Sequence, residues 1–220
     1  MQNFSIDKWL SNYTDLIRKS FADRVEFIGI QGSYARGEAT QSSDIDVVLL
    51  LNNFSYEDLK TYDNVISALD YREKICGFIS GIDEIKNWDR ADLFQFYYDT
   101  KPLYGNIDWV SSLIEKSDII RTIHRDACNI YHMCAHNAIH EKSDDILRNI
   151  LKAAVYLIRE KHFYACGTYI RKAAELAELA ADEDEEILCL YLENSSKLNL
   201  DTASEIIMNW SGRIIKEINL

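Results

Sequence analysis

The chain has 220 residues, enough for one large domain or two small ones, and its 47% hydrophobic and 27% charged composition excludes disordered and collagen-like chains. Its 36 acidic residues outnumber 24 basic ones, giving a net charge of −12. The excess divides equally about Asn106, so neither part carries the basic surplus a phosphate-backbone binder needs, and no nucleic acid partner is expected.

In chain order, Ile6 to Ala22 places Trp9, Leu10, Tyr13, Leu16, Ile17 and Phe21 at helical spacing. Val25–Ile30 is a short β-branched and aromatic run and reads as a strand. Gln31-Gly32-Ser33-Tyr34-Ala35-Arg36-Gly37 follows as a turn opening into one short helix. Asp44-Ile45-Asp46-Val47-Val48-Leu49-Leu50-Leu51 is a second strand, apolar on both faces and so central in its sheet. A helix around Tyr56–Leu69 leads to a third apolar run, Ile75–Ile79. Asp92–Tyr98 and Leu103-Tyr104-Gly105 close this part.

Six of the eight glycines and the single proline lie within the first 105 residues. The remainder, so poor in breakers, reads as helical. Helices are expected over Trp109–Lys116, Asp118–His140, Ser143–His162, Tyr164–Ala181, Glu185–Leu192 and Thr202–Ile218. Ser143, Thr202 and the acidic run Asp182–Glu186 suit helix starts, where side-chain oxygens cap free amides and negative charge meets the dipole. The division expected is 1–106 and 107–220, with the active site in the cleft between the two parts.

One constellation carries chemistry: Gly32-Ser33, ten intervening residues, then Asp44-Ile45-Asp46 leading into the apolar strand. Carboxylates at i and i+2 on a strand point to one face, where they can hold a hard divalent cation such as Mg²⁺ bridged to phosphates. The Gly-Ser step at a helix start offers backbone amides and a hydroxyl to phosphate oxygens. Glycine lets the backbone approach that closely. Arg36 stands one helical turn further on, able to pair with a triphosphate.

These residues resemble the nucleotidyltransferase superfamily to which DNA polymerase beta belongs, in its minimal form with the pattern G-S-x10-D-x-[DE]. Gly32-Ser33-Tyr34-Ala35-Arg36-Gly37 is similar to the G-S-x-A-R-G form common in that group. The helical remainder resembles in plan the carboxyl-terminal bundle of antibiotic nucleotidyltransferases such as the kanamycin enzyme, on Leu151–Arg159 and Gly167-Thr168-Tyr169. The resemblance implies an α/β (α+β) nucleotidyltransferase domain with a mixed sheet, followed by an all-α bundle. It also implies a nucleotidyltransferase (an adenylyltransferase) with Asp44 and Asp46 catalytic and metal-binding, and Gly32, Ser33 and Arg36 at the nucleotide. Mg²⁺ is the implied cofactor, with ATP or another NTP as substrate and release of pyrophosphate.

The favoured acceptor is a hydroxyl of a small molecule of the aminoglycoside type, which implies a role in antibiotic resistance and agrees with the acidic surface. The alternative is an antitoxin-like or regulatory nucleotidyltransferase with a HEPN-type helical half, modifying or binding a protein partner, or a degenerate nucleotide-binding member. Family members usually add a third carboxylate from a neighbouring strand. Ile75–Ile79 holds no acid, which leaves Glu73, Asp83, Glu84 and Asp99 as open candidates.

The plainer readings concern the other motifs. His124, Cys128, His132, His136 and His140 recur at i+4 along one expected helix, and a helix face suits them better than a metal site because successive steps drift around the axis. Arg125 and His132 fit the R-x4-6-H pattern of HEPN ribonucleases, an easy chance match on a helix with four histidines. Tyr97, Tyr98 and Tyr104 are read as core. Five cysteines without a C-x-x-C pair read as reduced apolar thiols of a cytoplasmic protein. The first seven residues show no signal-peptide pattern, and no apolar run reaches the ~18–20 residues of a membrane span. A homodimer is compatible with the sequence.

Overall fold

The apolar runs of the first hundred residues form one mixed sheet in the computed structural model, which describes residues 4–193 and 199–218. The strands are β1 (Val25–Ile30), β2 (Ile45–Leu51), β3 (Ile75–Gly81) and β4 (Lys101–Gly105), in the order β3-β2-β1-β4. β1 runs antiparallel to both β2 and β4, while β2 and β3 are parallel. A parallel pair needs a crossover, and helix α3 (Tyr56–Ser67) supplies it. β2 is central, as its unbroken apolar run requires.

Side-chain alternation along β2 gives the sheet two different faces. Ile45, Val47, Leu49 and Leu51 join Trp9, Tyr13, Ile17 and Phe21 of helix α1 (Ile6–Phe21) in one buried cluster, with Ile66 and Leu69 from the end of α3. Asp46, Val48 and Leu50 project the other way. α2 (Gly32–Arg36) follows β1, with Tyr34 and Ala35 packed against the α1 cluster, and α4 (Ile82–Lys86) and α5 (Arg90–Asp99) follow β3. Phe78 of β3 packs edge-on against Phe96 of α5 with ring centroids 5.4 Å apart.

The chain divides into two compact units, Met1–Leu113 and Ile114–Leu220. Helix α6 (Asp108–Ser111) packs against α5, so Ile107 and Val110 are buried and the first unit runs past Asn106. The single helix expected over Trp109–Lys116 is therefore broken. A new one, α7 (Lys116–His136), starts from a capping box in which Glu115 and Asp118 satisfy each other's backbone amides.

In the second unit α7 packs against α8 (Asp144–Cys166) and α11 (Leu200–Glu217), and α10 (Asp182–Leu192) packs against α8. α7 passes into one π-helical stretch, Asn137–Glu141. Buried Asn137 there bridges the next turn, accepting from the Ser143 amide and donating to its carbonyl, both at 3.0 Å. Ser143 caps α8 as expected. Asn199, not Thr202, caps α11: its side-chain oxygen accepts from the amides of Asp201 and Thr202. The helix expected over Tyr164–Ala181 reduces to α9 (Ala173–Ala177), because α8 runs on to Cys166 and Gly167 ends it in the left-handed region at φ 74°.

The acidic run Asp182–Glu186 is a helix start with one exception. Asp184 accepts from Lys161 Nζ at 2.6 Å and from the indole of buried Trp210 at 2.7 Å, tying α8, α10 and α11 together. Among the described residues no helix is long and apolar enough to cross a membrane.

The first unit holds its strongest ion pair at the start of α3. Arg24 donates to both oxygens of Asp58 at 2.7 and 2.8 Å and to the carbonyls of Asn52 and Asn53. Asp58 also accepts from the Ser55 amide and hydroxyl. The bond from Arg24, aided by Ser55, holds the Asp58 carboxyl at about 2, against burial that would raise it. A depressed carboxylate pKa stabilises the fold above the unfolded value of 3.8, and that stabilisation fades as pH falls through the folded value. Asp58→Asn is therefore expected to cost roughly 1–2 kcal/mol at neutral pH, discounted for the half-exposed Arg24. The gap to the parent should close between about pH 4 and pH 2 in denaturant titrations; a gap constant over that range would rule out the pairing as its source.

Candidate active site

The site begins where β1 ends. Antiparallel pairing sets Ile30 opposite Val47, so the next residue, Gln31, arrives beside Asp46, and its amide donates to the Asp46 carbonyl at 2.7 Å. α2 starts at once. Gly32 has φ +65°, and a Cβ built there would lie 2.0 Å from Asp46 Oδ2. Glycine is thus required twice, by backbone conformation and by the carboxylate against its Cα. α2 ends after five residues at Gly37, φ 74°, where the Gly37 and Glu38 amides return to the Tyr34 and Ser33 carbonyls.

Asp46 is half-buried on β2; Asp44, just ahead of the strand, is exposed. Ile45 between them is fully buried in the α1 face of the sheet, so alternation sends both aspartates to the opposite face. Ser33 is half-buried in the first turn of α2. Gly32 and Asp46 thus meet at one turn, with Ser33 next along α2 and Asp44 two residues ahead of Asp46 in the chain.

Arg36 behaves differently. Its guanidinium is buried, 2.8 Å from Glu38 Oε2 and 3.9 Å from Asp99 Oδ2. Asp99 is itself buried and ends α5. Arg36 therefore anchors the end of α2 instead of projecting from it. Of the four open carboxylates, Asp99 thus reaches the motif through Arg36. Glu73 is exposed in the turn before β3. Asp83 and Glu84 lie beyond the far end of β3: Asp46 registers with Cys76, but Glu84 sits at Gly81, five residues along, or roughly 16 Å at strand rise. The neighbouring-strand position level with Asp46 is Cys76, an exposed thiol.

Among the described residues no group of three or more His, Cys, Asp or Glu is placed to hold a metal ion. Two carboxylates on one face still fit Mg²⁺, which takes one or two protein carboxylates and completes its shell with water and phosphate oxygens. The missing Cβ at Gly32 lets the Asp46 carboxylate lie against the turn.

The remaining candidates do not converge. His132, His136 and His140 form an exposed stripe with ring centroids 6.3 and 4.8 Å apart in succession, while His124 is half-buried. The Arg125 Nε donates to adjacent Asp126 at 2.8 Å, and exposed His132 stands about two helical turns further along α7. Tyr98 stacks on Phe94, Tyr97 reaches Asp108, and Arg18 covers the Tyr104 ring at 4.4 Å.

The sequence pattern does not single out Gln31, and Asp99 is only one of its four open carboxylates. Gln31 precedes the motif and binds α5: its Nε2 donates to Thr100 Oγ1 at 2.7 Å and to the Phe96 carbonyl at 3.3 Å. Asp99 lies 63 residues from Arg36. The one hint is a polar glutamine closing an apolar strand.

Comparison with known proteins gives the following. A family model described as a nucleotidyltransferase domain matches residues 15–121. Over 75 residues the chain is 36% identical to "Putative protein adenylyltransferase MJ1379" of Methanocaldococcus jannaschii, covering 32% of this chain and 72% of that protein. In fold it is similar to the spectinomycin adenyltransferase AAD(9) from Enterococcus faecialis, solved with ATP and spectinomycin. The TM-score is 0.60 over 96% of this chain and 99% of that one, at 16% identity.

The Gly32–Asp46 contact makes a paired prediction. Gly37 also has positive φ but nothing within 4 Å of a built Cβ, so Gly37→Ala carries only the backbone cost, roughly 1 kcal/mol. Gly32→Ala adds a clash with the carboxylate and is expected to melt several degrees lower than Gly37→Ala. Equal melting temperatures would mean that Asp46 does not lie against Gly32.

Proposed function

The chain belongs to the nucleotidyltransferase family, and on that premise we propose that it transfers AMP from ATP to a hydroxyl of a small, cationic, aminoglycoside-type acceptor. The observation that carries the reading is the glycine turn seated against the Asp46 carboxylate. In the reaction the acceptor oxygen bonds to the α-phosphorus, the bond from that phosphorus to the bridging oxygen breaks, and pyrophosphate leaves with the electron pair. The hydroxyl proton passes to solvent.

Asp44 and Asp46 would hold Mg²⁺, which when bound supplies neutralisation of charge on the phosphate oxygens. This chain's residues do the rest by placement. Gly32 lets the phosphates approach the backbone, and the Ser33 amide and hydroxyl bind their oxygens. Asp46, half-buried, lies against the turn, and Asp44 is exposed. Arg36, already between two carboxylates, orients α2. Rate enhancement then rests on orientation and fixed dipoles more than on proton transfer.

The acceptor class is supported by the fold likeness to an adenyltransferase solved with spectinomycin, which extends over nearly all of both chains, and by the −12 net charge, which favours cations. A second reading is favoured by a specific observation, the sequence relative named as a protein adenylyltransferase. It makes the acceptor a hydroxyl on a protein side chain.

Incubation with ATP labelled at the α-phosphate, offered aminoglycosides, spectinomycin, lincosamides and whole-cell protein in parallel, separates the two. Label on a small cationic antibiotic supports the proposal; label on protein alone transfers it to the second reading; no label on any acceptor defeats both. Asp46→Asn should keep the fold, lose at least ~10³-fold in rate, and show a smaller rise in melting temperature with Mg²⁺-ATP than the parent. Equal ligand-induced rises would remove Asp46 from the nucleotide site.

A further inference from the structure

α2 has five residues, and so short a helix does not hold its own position, because one nucleated turn is unstable without tertiary support. Gly32 nonetheless lies so close to Asp46 that a Cβ built on it would fall 2.0 Å from Oδ2. Something outside the motif must fix it. The bonds that do so come from the last turn of α5. At the start of α2, Gln31 Nε2 donates to Thr100 Oγ1 at 2.7 Å and to the Phe96 carbonyl. At its end, Arg36 meets Asp99. Thr100 is buried; its hydroxyl accepts from Gln31 and donates to the Phe96 carbonyl, while its methyl lies against Gly29, 2.6 Å from where a Cβ would be.

We propose that Gln31 and Thr100 are positioning residues of the nucleotide site: their bond pins the Gly32–Ser33 turn against Asp46. The geometry rests on the bonds alone; its consequence for nucleotide binding rests on the function proposed above. Gln31 is suited to the task because its two halves act on different partners. The backbone amide holds the Asp46 carbonyl, and the side-chain amide holds α5. A displacement near 1 Å in such a turn is enough to cost about 100-fold in a reaction that depends on placement.

Thr100→Val removes the hydroxyl and keeps the shape, Thr100→Ser keeps the hydroxyl, and Gln31→Ala removes the other partner. On the full chain without ligand, Thr100→Val and Gln31→Ala should each speed hydrogen exchange of the amides of residues 33–37 about tenfold or more. Exchange in β2 and the melting temperature should stay near the parent's, and Thr100→Ser should behave as the parent. Mg²⁺-ATP should bind about tenfold more weakly to the first two variants and normally to Thr100→Ser. Unchanged exchange in residues 33–37 overturns the proposal, as does faster exchange with unchanged Mg²⁺-ATP affinity. If the parent binds no Mg²⁺-ATP but the exchange pattern appears, the pinning of the turn stands and the nucleotidyl-transfer reading falls. Should Gln31→Ala fail to fold, the contrast of Thr100→Val with Thr100→Ser decides alone.

Discussion

Every feature of the site follows from the register of β1 on β2. Ile30 stands opposite Val47, so the first residue past β1 meets Asp46, and the glycine after that meets its carboxylate. A slip of one residue would turn Asp46 into the α1 core and bring Ile45 out to solvent. Ile45 and Val47 are at most 1% exposed, so such a slip would move Ile45 out of the core and bring a carboxylate into it without a partner there. The register that assembles the polar site is thus enforced by the apolar face behind it.

The same strand therefore serves two purposes through alternation. Its odd-numbered residues secure the sheet to α1 and α3, and its even-numbered ones run from the exposed aspartate end into the Val48 and Leu50 packing. The parallel neighbour, β3, extends this layout with a difference in chemistry: level with Asp46 it presents a thiol, Cys76, and its acids lie off either end. The carboxylates of the motif lie in one short segment at the start of β2, where Asp46 is level with Cys76 on one side and its carbonyl accepts from the Gln31 amide on the other.

The strands, the central place of β2 and the glycine turn at the end of β1 were legible because each depends on local pattern: apolar runs of strand length and a glycine-serine step. The second half was legible in kind but not in its breaks. Gly167 reads as an ordinary glycine within a helical pattern until its positive φ stops α8, and Asn199 is outbid in sequence by the more familiar cap three residues on. Asp184 lay hidden in an acidic run because its partners, Lys161 and Trp210, are 23 and 26 residues away. Arg36 was the most instructive case. Its motif suggests a phosphate ligand, but its guanidinium is buried between Glu38, two residues on, and Asp99 at the end of α5, a distance no spacing rule spans.

The placement of Arg36 bears on why such a pair is present at all. A buried ion pair contributes little net stability, because the cost of desolvating two charges offsets most of their attraction. An apolar residue of similar size at position 36 would serve the core as well. What an arginine between Glu38 and Asp99 adds is direction, since a planar guanidinium accepts carboxylates only along its N–H bonds. It fixes the end of α2 in angle as well as in depth. Gln31 does the same at the other end with an amide, a neutral group that can be held beside the aspartates without opposing a bound anion. The two ends of a helix too short to stabilise itself are thereby set against one turn, and between them Tyr34 and Ala35 pack against the α1 cluster.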